Sequence, residues 1–163
     1  MKRLPVCLII ITIFAISLAS CKKSSTGIST SQWSLNGKTY TGTTTLLVKE
    51  DTVAYILEST STLDSITNFI EIGFKSNPVN NKKFAVAAAY GSSSLDSVHC
   101  IIVAGYAIPP STNGLIGESF GNPGDSVSIT IVNGKVHATF SNIITMGQSS
   151  SLFGALSGTI IQQ

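Results

Sequence analysis

Residues 126–141 read Ser-Val-Ser-Ile-Thr-Ile-Val-Asn-Gly-Lys-Val-His-Ala-Thr-Phe-Ser, and their pattern decides the fold class. Asn133-Gly134 suits a two-residue type I′ turn, in which both central residues take positive φ. Pairing outward from that turn sets Ile131 opposite Val136, Ile129 opposite Ala138 and Val127 opposite Phe140. These six side chains share one face, while Ser128, Thr130, His137 and Thr139 share the other. The ribbon is therefore dry on one side and wet on the other, as a half-buried antiparallel pair must be. The same rule at Asn36-Gly37 pairs Trp33 with Tyr40 and puts Ser34 and Thr39 on the opposite face, so the chain's single tryptophan is expected to anchor packing.

From Gln32 onward no stretch of ten residues places apolar side chains at helical spacing. Short runs rich in Val, Ile, Thr, Phe and Tyr recur instead, at 43–48, 52–61, 65–74, 82–90, 98–106 and 151–161, broken by Gly, Asn and Pro. With both arms of each hairpin this predicts roughly ten strands and an all-β fold. Residues 98–104 show little alternation and are expected to form a central strand covered on both faces. Three strands start alike, at Asp64-Ser65, Asp96-Ser97 and Asp125-Ser126, where the carboxylate is suited to capping backbone N–H groups of a turn. Residues 108–124 are rich in Gly and Pro; they are expected to be the longest irregular stretch and the place for any binding surface. Antiparallel strands of this number close as two stacked sheets or as a barrel, and alternation does not separate the two.

Composition narrows the function classes. The chain has 163 residues, 43% hydrophobic and only 11% charged, against roughly 25% charged in an average domain. Hydroxyls supply the missing polarity, with 41 Ser and Thr. Lys2 and Arg3 lie in the segment read below as a leader; without them eight basic residues face eight acidic ones. A balanced charge offers no basic stripe to neutralise phosphates, which argues against nucleic acid as a partner.

The first thirty residues read as an address. Met1-Lys2-Arg3 is a short positive start, and residues 4–19 form an uncharged apolar run, shorter than the roughly 20 residues a spanning helix needs. Leu18-Ala19-Ser20-Cys21 resembles a bacterial lipobox. The resemblance implies a leader over 1–20, cleavage before Cys21, a diacylglyceryl group on the Cys21 thiol and a further acyl chain such as palmitate on the new amine. Two or three acyl chains exceed the marginal hold of one, so membrane anchoring would be stable. Residues 21–31 are polar and suit a tether, leaving 32–163 as a single folded domain.

The opening Cys21-Lys22-Lys23-Ser24-Ser25 is similar to that of many small lipoproteins of the Bacteroidota, and Lys22 is not the aspartate that commonly marks inner-membrane retention. The resemblance therefore implies the outer membrane of the cell envelope. Three further motifs resemble such lipoproteins: Trp-x-x-Asn-Gly-x-x-Tyr at 33–40, Gly-Lys-Val-x-Ala-Thr-Phe-Ser-Asn-Ile at 134–143 and Leu-Ser-Gly-Thr-Ile at 156–160. This likeness implies a β-sandwich, immunoglobulin-like or jelly-roll-like, and offers no catalytic residues to carry over. An up-and-down barrel is the alternative.

Several patterns look like chemistry. Gly117-Glu118-Ser119-Phe120-Gly121 matches G-x-S-x-G, and Asp125 and His137 follow in the order of an α/β-hydrolase triad. That elbow needs a strand turning sharply into a helix, whereas Asn122-Pro123-Gly124 makes a turn where the helix would begin. His137 is moreover expected mid-strand, opposite Thr130. His99 and Cys100 are neighbours in a strand, so their side chains point to opposite faces and cannot form a pair. Cys100 is the one thiol left after the leader and the lipidated Cys21, and its apolar surroundings predict burial. The two histidines lie 38 positions apart, and no metal-ligand spacing is present. A cation held by Asp64, Asp96 and Asp125 would need three turns to converge. Neither a metal nor a cofactor is expected. Among the aromatics, Tyr106 beside the 108–124 stretch stands out as a contact for a glycan.

The leading expectation is a non-catalytic envelope lipoprotein whose β domain serves structure or interaction with a protein or glycan. A small-ligand binder, either a lipocalin-like barrel or a sandwich with a pocket near 108–124, or a glycan-capturing accessory to an outer-membrane importer, is the alternative. A serine hydrolase using Ser119 is the remote one.

Overall fold

The computed structural model describes residues 30–48, 55–63, 65–87, 95–108, 115–147 and 154–163, with the side chains of 115–119 excepted. Every regular element in them is a strand: β1 (Ser31–Leu35), β2 (Lys38–Val48), β3 (Tyr55–Leu63), β4 (Ile66–Phe74), β5 (Lys82–Val86), β6 (His99–Ala107), β7 (Leu115–Gly121), β8 (Ser126–Val132), β9 (Lys135–Gly147) and β10 (Gly154–Ile161). The all-β expectation holds.

Both asparagine–glycine turns form as their chemistry dictates. Asn36 and Gly37 take φ of 49° and 78°, and Asn133 and Gly134 take 53° and 77°. The expected registers follow, with Trp33 opposite Tyr40 and with Val127, Ile129 and Ile131 opposite Phe140, Ala138 and Val136. On the second hairpin five of those six side chains are buried, while Ser128, Thr130 and Thr139 are exposed.

The strands do not form two stacked sheets. They make one hydrogen-bonded sheet in the order β10-β1-β2-β3-β4-β6-β5-β8-β9-β7, and β10 also pairs with β9, which closes a nine-stranded ring. The immunoglobulin-like or jelly-roll-like sandwich is thus corrected to the barrel, because β10 finds β1 along one edge and β9 along the other and leaves no edge to stack. The up-and-down order holds over β1–β4 and breaks where β6 inserts between β4 and β5.

Nine is an awkward number for a closed antiparallel wall. Strand direction reverses at each antiparallel contact, so a ring must contain an even number of them. The parallel pairing of β5 with β6 supplies the exception. It is short, joining Ala85 to His99 and Val86 to Cys100, and the rest of that edge of β6, from Val103 to Ala107, pairs antiparallel with β7. β9 divides its edge in the same way, between β8 up to Phe140 and β7 from Thr145. The wall between β6 and β9 is therefore β5 and β8 at one level and β7 at another.

β7 corrects a second expectation, since it lies inside the stretch read as irregular. The ten strands are also differently composed: the second arm of the first hairpin and residues 43–48 are one 11-residue strand, β2. The expected strands at 52–61, 82–90 and 151–161 are present as β3, β5 and β10, and residues 52–54, 88–90 and 151–153 lie outside the described residues. β6 begins at His99, leaving Val98 47% exposed. Its inner face is Cys100, Ile102 and Ala104, all buried, and on its outer face Val103 is buried and Ile101 half-buried. Coverage on both faces is thus partial.

The interior is packed. Leu57, Ile70, Ile72, Phe74, Ile102, Val127, Ile129, Ile143, Leu156 and Ile160 are fully buried there, each worth about 1.5–3 kcal/mol against exposure. Phe74 and Phe84 meet edge to face with centroids 5.0 Å apart, and Trp33 stacks on Tyr40 at 5.6 Å. The tryptophan is 2% exposed and anchors packing as expected. Gly121 is required where β7 crosses the core: a Cβ there would stand 2.2 Å from Ile102 Cγ2.

Candidate functional site

The barrel has two unlike ends. At one, which we call the base, lie the start of β1, the end of β10 and the Asn133-Gly134 turn. There Ser31 Oγ accepts a hydrogen bond from the Ile161 N–H at 2.8 Å and is bonded to Thr44 Oγ1. The other end carries the Asn36-Gly37 turn, the β3–β4 turn and the end of β6. There the packing stops short and leaves a cavity of about 510 Å³, the mouth of the barrel.

Local sequence explains the space. On the inner face of β6 the series Cys100, Ile102, Ala104, Tyr106 steps down to a methyl at Ala104, with the side-chain-free Gly105 beside it. Across the barrel, Trp33 and Tyr40 form an aromatic wall. Lys38 is paired with Leu35, directly after the turn, and so lies on the same face as Trp33 and Tyr40. Its Nζ sits 5.5 Å from the centre of the Tyr40 ring, which holds the ammonium at the rim. Asn68, opposite Tyr106, adds an amide whose Nδ2 donates to the Ile66 carbonyl at 3.4 Å. Burial raises the pKa of the Tyr40 phenol, so it stays neutral and hydrogen-bonding throughout the physiological range. Aromatic and aliphatic walls with a few polar groups at the rim suit capture of a small molecule, and barrel mouths are a common place for it.

The structure separates the residues of the hydrolase pattern. Ser119 is part of a continuous strand, its Cα paired with Ala104 on β6 and Gly147 on β9, and not at a strand-to-helix elbow. His137 lies on β9 opposite Thr130, ten residues from Gly147, which is about 33 Å along an extended strand. His99 lies five residues from Ala104 on β6, about 17 Å away on the same measure. On the backbone, then, neither histidine lies beside Ser119. Asp125 is engaged elsewhere: its Oδ2 accepts from the Ile144 N–H at 3.1 Å.

Cys100 and His99 point to opposite faces as expected. The thiol is fully buried, and desolvation pushes its pKa up to about 12, so no thiolate forms at neutral pH. His99 Nδ1 contacts Asp96 Oδ1 at 2.8 Å. The same oxygen accepts from the N–H groups of Val98 and His99 at 2.8 and 2.9 Å, so Asp96 is the turn cap expected of it. Those bonds, the Val98 N–H first and the His99 ring next, hold the Asp96 carboxyl below its usual pKa. Asp125 caps a neighbouring strand and not its own turn, and Asp64 lies outside the described residues, as does Cys21. Among the described residues no three His, Cys, Asp or Glu side chains cluster to hold a metal.

Tyr106 and Ile108 do line the mouth, so the margin of the 108–124 stretch meets the cavity. Lys38, Asn68 and Ala104 were not singled out by sequence. For Lys38 a signal existed: the pairing that joins Trp33 to Tyr40 puts a charged residue on an otherwise apolar face. The chain matches no protein-family model, no curated protein and no solved structure.

Proposed function

We propose that this chain is an envelope lipoprotein, acylated at Cys21 and held on the outer membrane, whose barrel binds a small molecule in its mouth and catalyses no reaction. The lipobox-like Leu18-Ala19-Ser20-Cys21 supports the anchor. The observation that carries the binding role is the 510 Å³ cavity between Trp33, Tyr40 and Tyr106, a volume within the roughly 300–1,000 Å³ range of small-molecule sites. It favours the ligand-binding alternative over a purely structural module. It also favours a small molecule over a glycan chain lying on the outer surface, because the rings of Trp33, Tyr40 and Tyr106 line the cavity.

Trp33 is the chain's single tryptophan and stands on the cavity wall, so its emission reports occupancy. The test is to express the full chain with its leader in a bacterial envelope and purify it gently. Mass spectrometry is expected to show an acylated Cys21 as the first residue. Native mass spectra are expected to show a bound small molecule, whose removal shifts Trp33 emission. Ala104→Leu, which fills the mouth, should lower occupancy while circular dichroism stays unchanged. An intact leader would overturn the anchor. Identical occupancy in the wild type and Ala104→Leu would overturn the mouth as the binding site.

A further inference from the structure

Resting on that reading of the mouth, we propose that its ligand is a small amphipathic monoanion, with an apolar body seated against Trp33 and Tyr106 and an acidic head meeting Lys38.

Three observations converge on this chemistry. The lining is graded, with Trp33 and Ala104 buried deeper in the barrel and the exposed Lys38 and Asn36 at the rim beside the β1–β2 turn. A ligand matched to that gradient is apolar at one end and polar at the other. The charge at the rim has one sign, since Lys38 is the only charged side chain among the described residues that line the cavity. Asp64, in the β3–β4 connection at the same end, lies outside the described residues. Lastly, the ammonium is placed and not merely present. Its position over the Tyr40 ring places it at the mouth, and among the described residues no carboxylate pairs with it. Lys82, by contrast, also lies over a ring, that of Phe84, but donates to the Ser97 carbonyl and belongs to the base of the barrel. Lys38 thus offers charge-assisted hydrogen bonds to an entering anion.

The experiment uses three probes that share a ten-carbon tail and differ in the head: decanoate, decanol and decyltrimethylammonium. Each is titrated below its micelle concentration into the full protein, stripped of native ligand, with Trp33 emission and calorimetry as readouts. Decanoate is expected to bind with one-to-one stoichiometry and about tenfold more tightly than decanol, the gain of one charge-assisted contact at a partly exposed site. The cationic probe should bind weakest. Lys38→Gln should bring decanoate down to the level of decanol and leave decanol unchanged, while Lys38→Arg keeps the preference. Lys38 is exposed, so these substitutions leave the packed interior intact.

Equal affinity for all three heads, tighter binding of the cation, or a decanoate preference that survives Lys38→Gln would overturn the anionic ligand while leaving the mouth a binding site. Absence of binding by decanoate would overturn the proposal too; the native-ligand experiment above then decides separately whether the mouth binds anything.

Discussion

Ser59 stands on the inner face of the barrel between Thr44 and Ile70, and its buried hydroxyl meets no hydrogen-bonding group of the described residues. The other buried hydroxyls among the described residues differ in this respect: Ser31 and Thr44 bond each other, and Thr145 Oγ1 donates to the Gly154 carbonyl at 3.1 Å. A desolvated hydroxyl without a partner costs about 1–3 kcal/mol relative to one left in water. Alanine at this position keeps nearly the same shape and removes the polar atom. Ser59→Ala is therefore expected to leave stability unchanged or raise it by up to about 1 kcal/mol, seen as an equal or higher midpoint in urea unfolding. A loss of 1 kcal/mol or more would show that the hydroxyl is satisfied in solution, as by an internal water. Alternation identifies Ser59 as an inward residue only once its partner strand is known, because Ser, Thr and Glu alternate along β3 with no apolar residue after Leu57 until Leu63.

At the scale of elements, β9 shows what was legible and what was not. Its first half is read correctly from the Asn133-Gly134 turn, with Val136, Ala138 and Phe140 inward. Its second half changes phase: Ile143 and Thr145 are the buried residues there, so the inward set moves from even to odd positions. The cause is a β-bulge. Phe140 pairs with Gly158 and Ile143 with Leu156, so Ser141 and Asn142 together oppose Ser157. Asn142 takes φ of 54°, and its N–H is satisfied by Ser157 Oγ at 2.8 Å. By bending here β9 leaves β8 and meets β7, and the Asp125 carboxylate covers the Ile144 N–H in the gap between them. A β-branched residue at a left-handed position costs roughly 1–2 kcal/mol, whereas glycine fits there. Asn142→Val is expected to destabilise by about that amount and Asn142→Gly by less than about 1 kcal/mol, measured by thermal unfolding. Equal effects would show that the bulge is not held by backbone conformation. β7 was missed for a related reason: three glycines among residues 114–121, and no alternation, read as a loop, and the pairing that makes it a strand comes from β6 and β9, remote in sequence. The site follows the same division. Lys38 and Trp33 are placed by a local turn, while Asn68 and Ala104 meet them only through the long-range β4–β6 register, which no turn sets.

For the whole molecule, the position of β1 gives the mouth a direction. Ser31 lies at the base with Ile161 and Thr44, and the chain runs from there up to the Asn36-Gly37 turn at the rim. With the anchor proposed at Cys21, nine residues lie between it and Ser31, ten steps that span at most about 36 Å even when fully extended. β2, with 11 residues, runs the height of the wall from rim to base, roughly 25 Å once the tilt of barrel strands is included. An anchor entering at the base therefore favours a mouth that faces away from the membrane, open to ligands in the surrounding compartment and not to the bilayer. Two labelling sites separate the ends: Lys38→Cys at the rim and Lys135→Cys beside the Asn133-Gly134 turn, both exposed, with the buried Cys100 thiol unreactive in the folded protein. In vesicles carrying the acylated protein and an energy-accepting lipid dye, transfer from a fluorophore at position 135 is expected to exceed that from position 38. Both signals should fall to a common low level for the same protein made without residues 1–21, which has neither leader nor acyl group. Greater transfer from position 38 in the anchored protein would mean that the rim lies against the bilayer, and the mouth would then draw its ligand from the membrane.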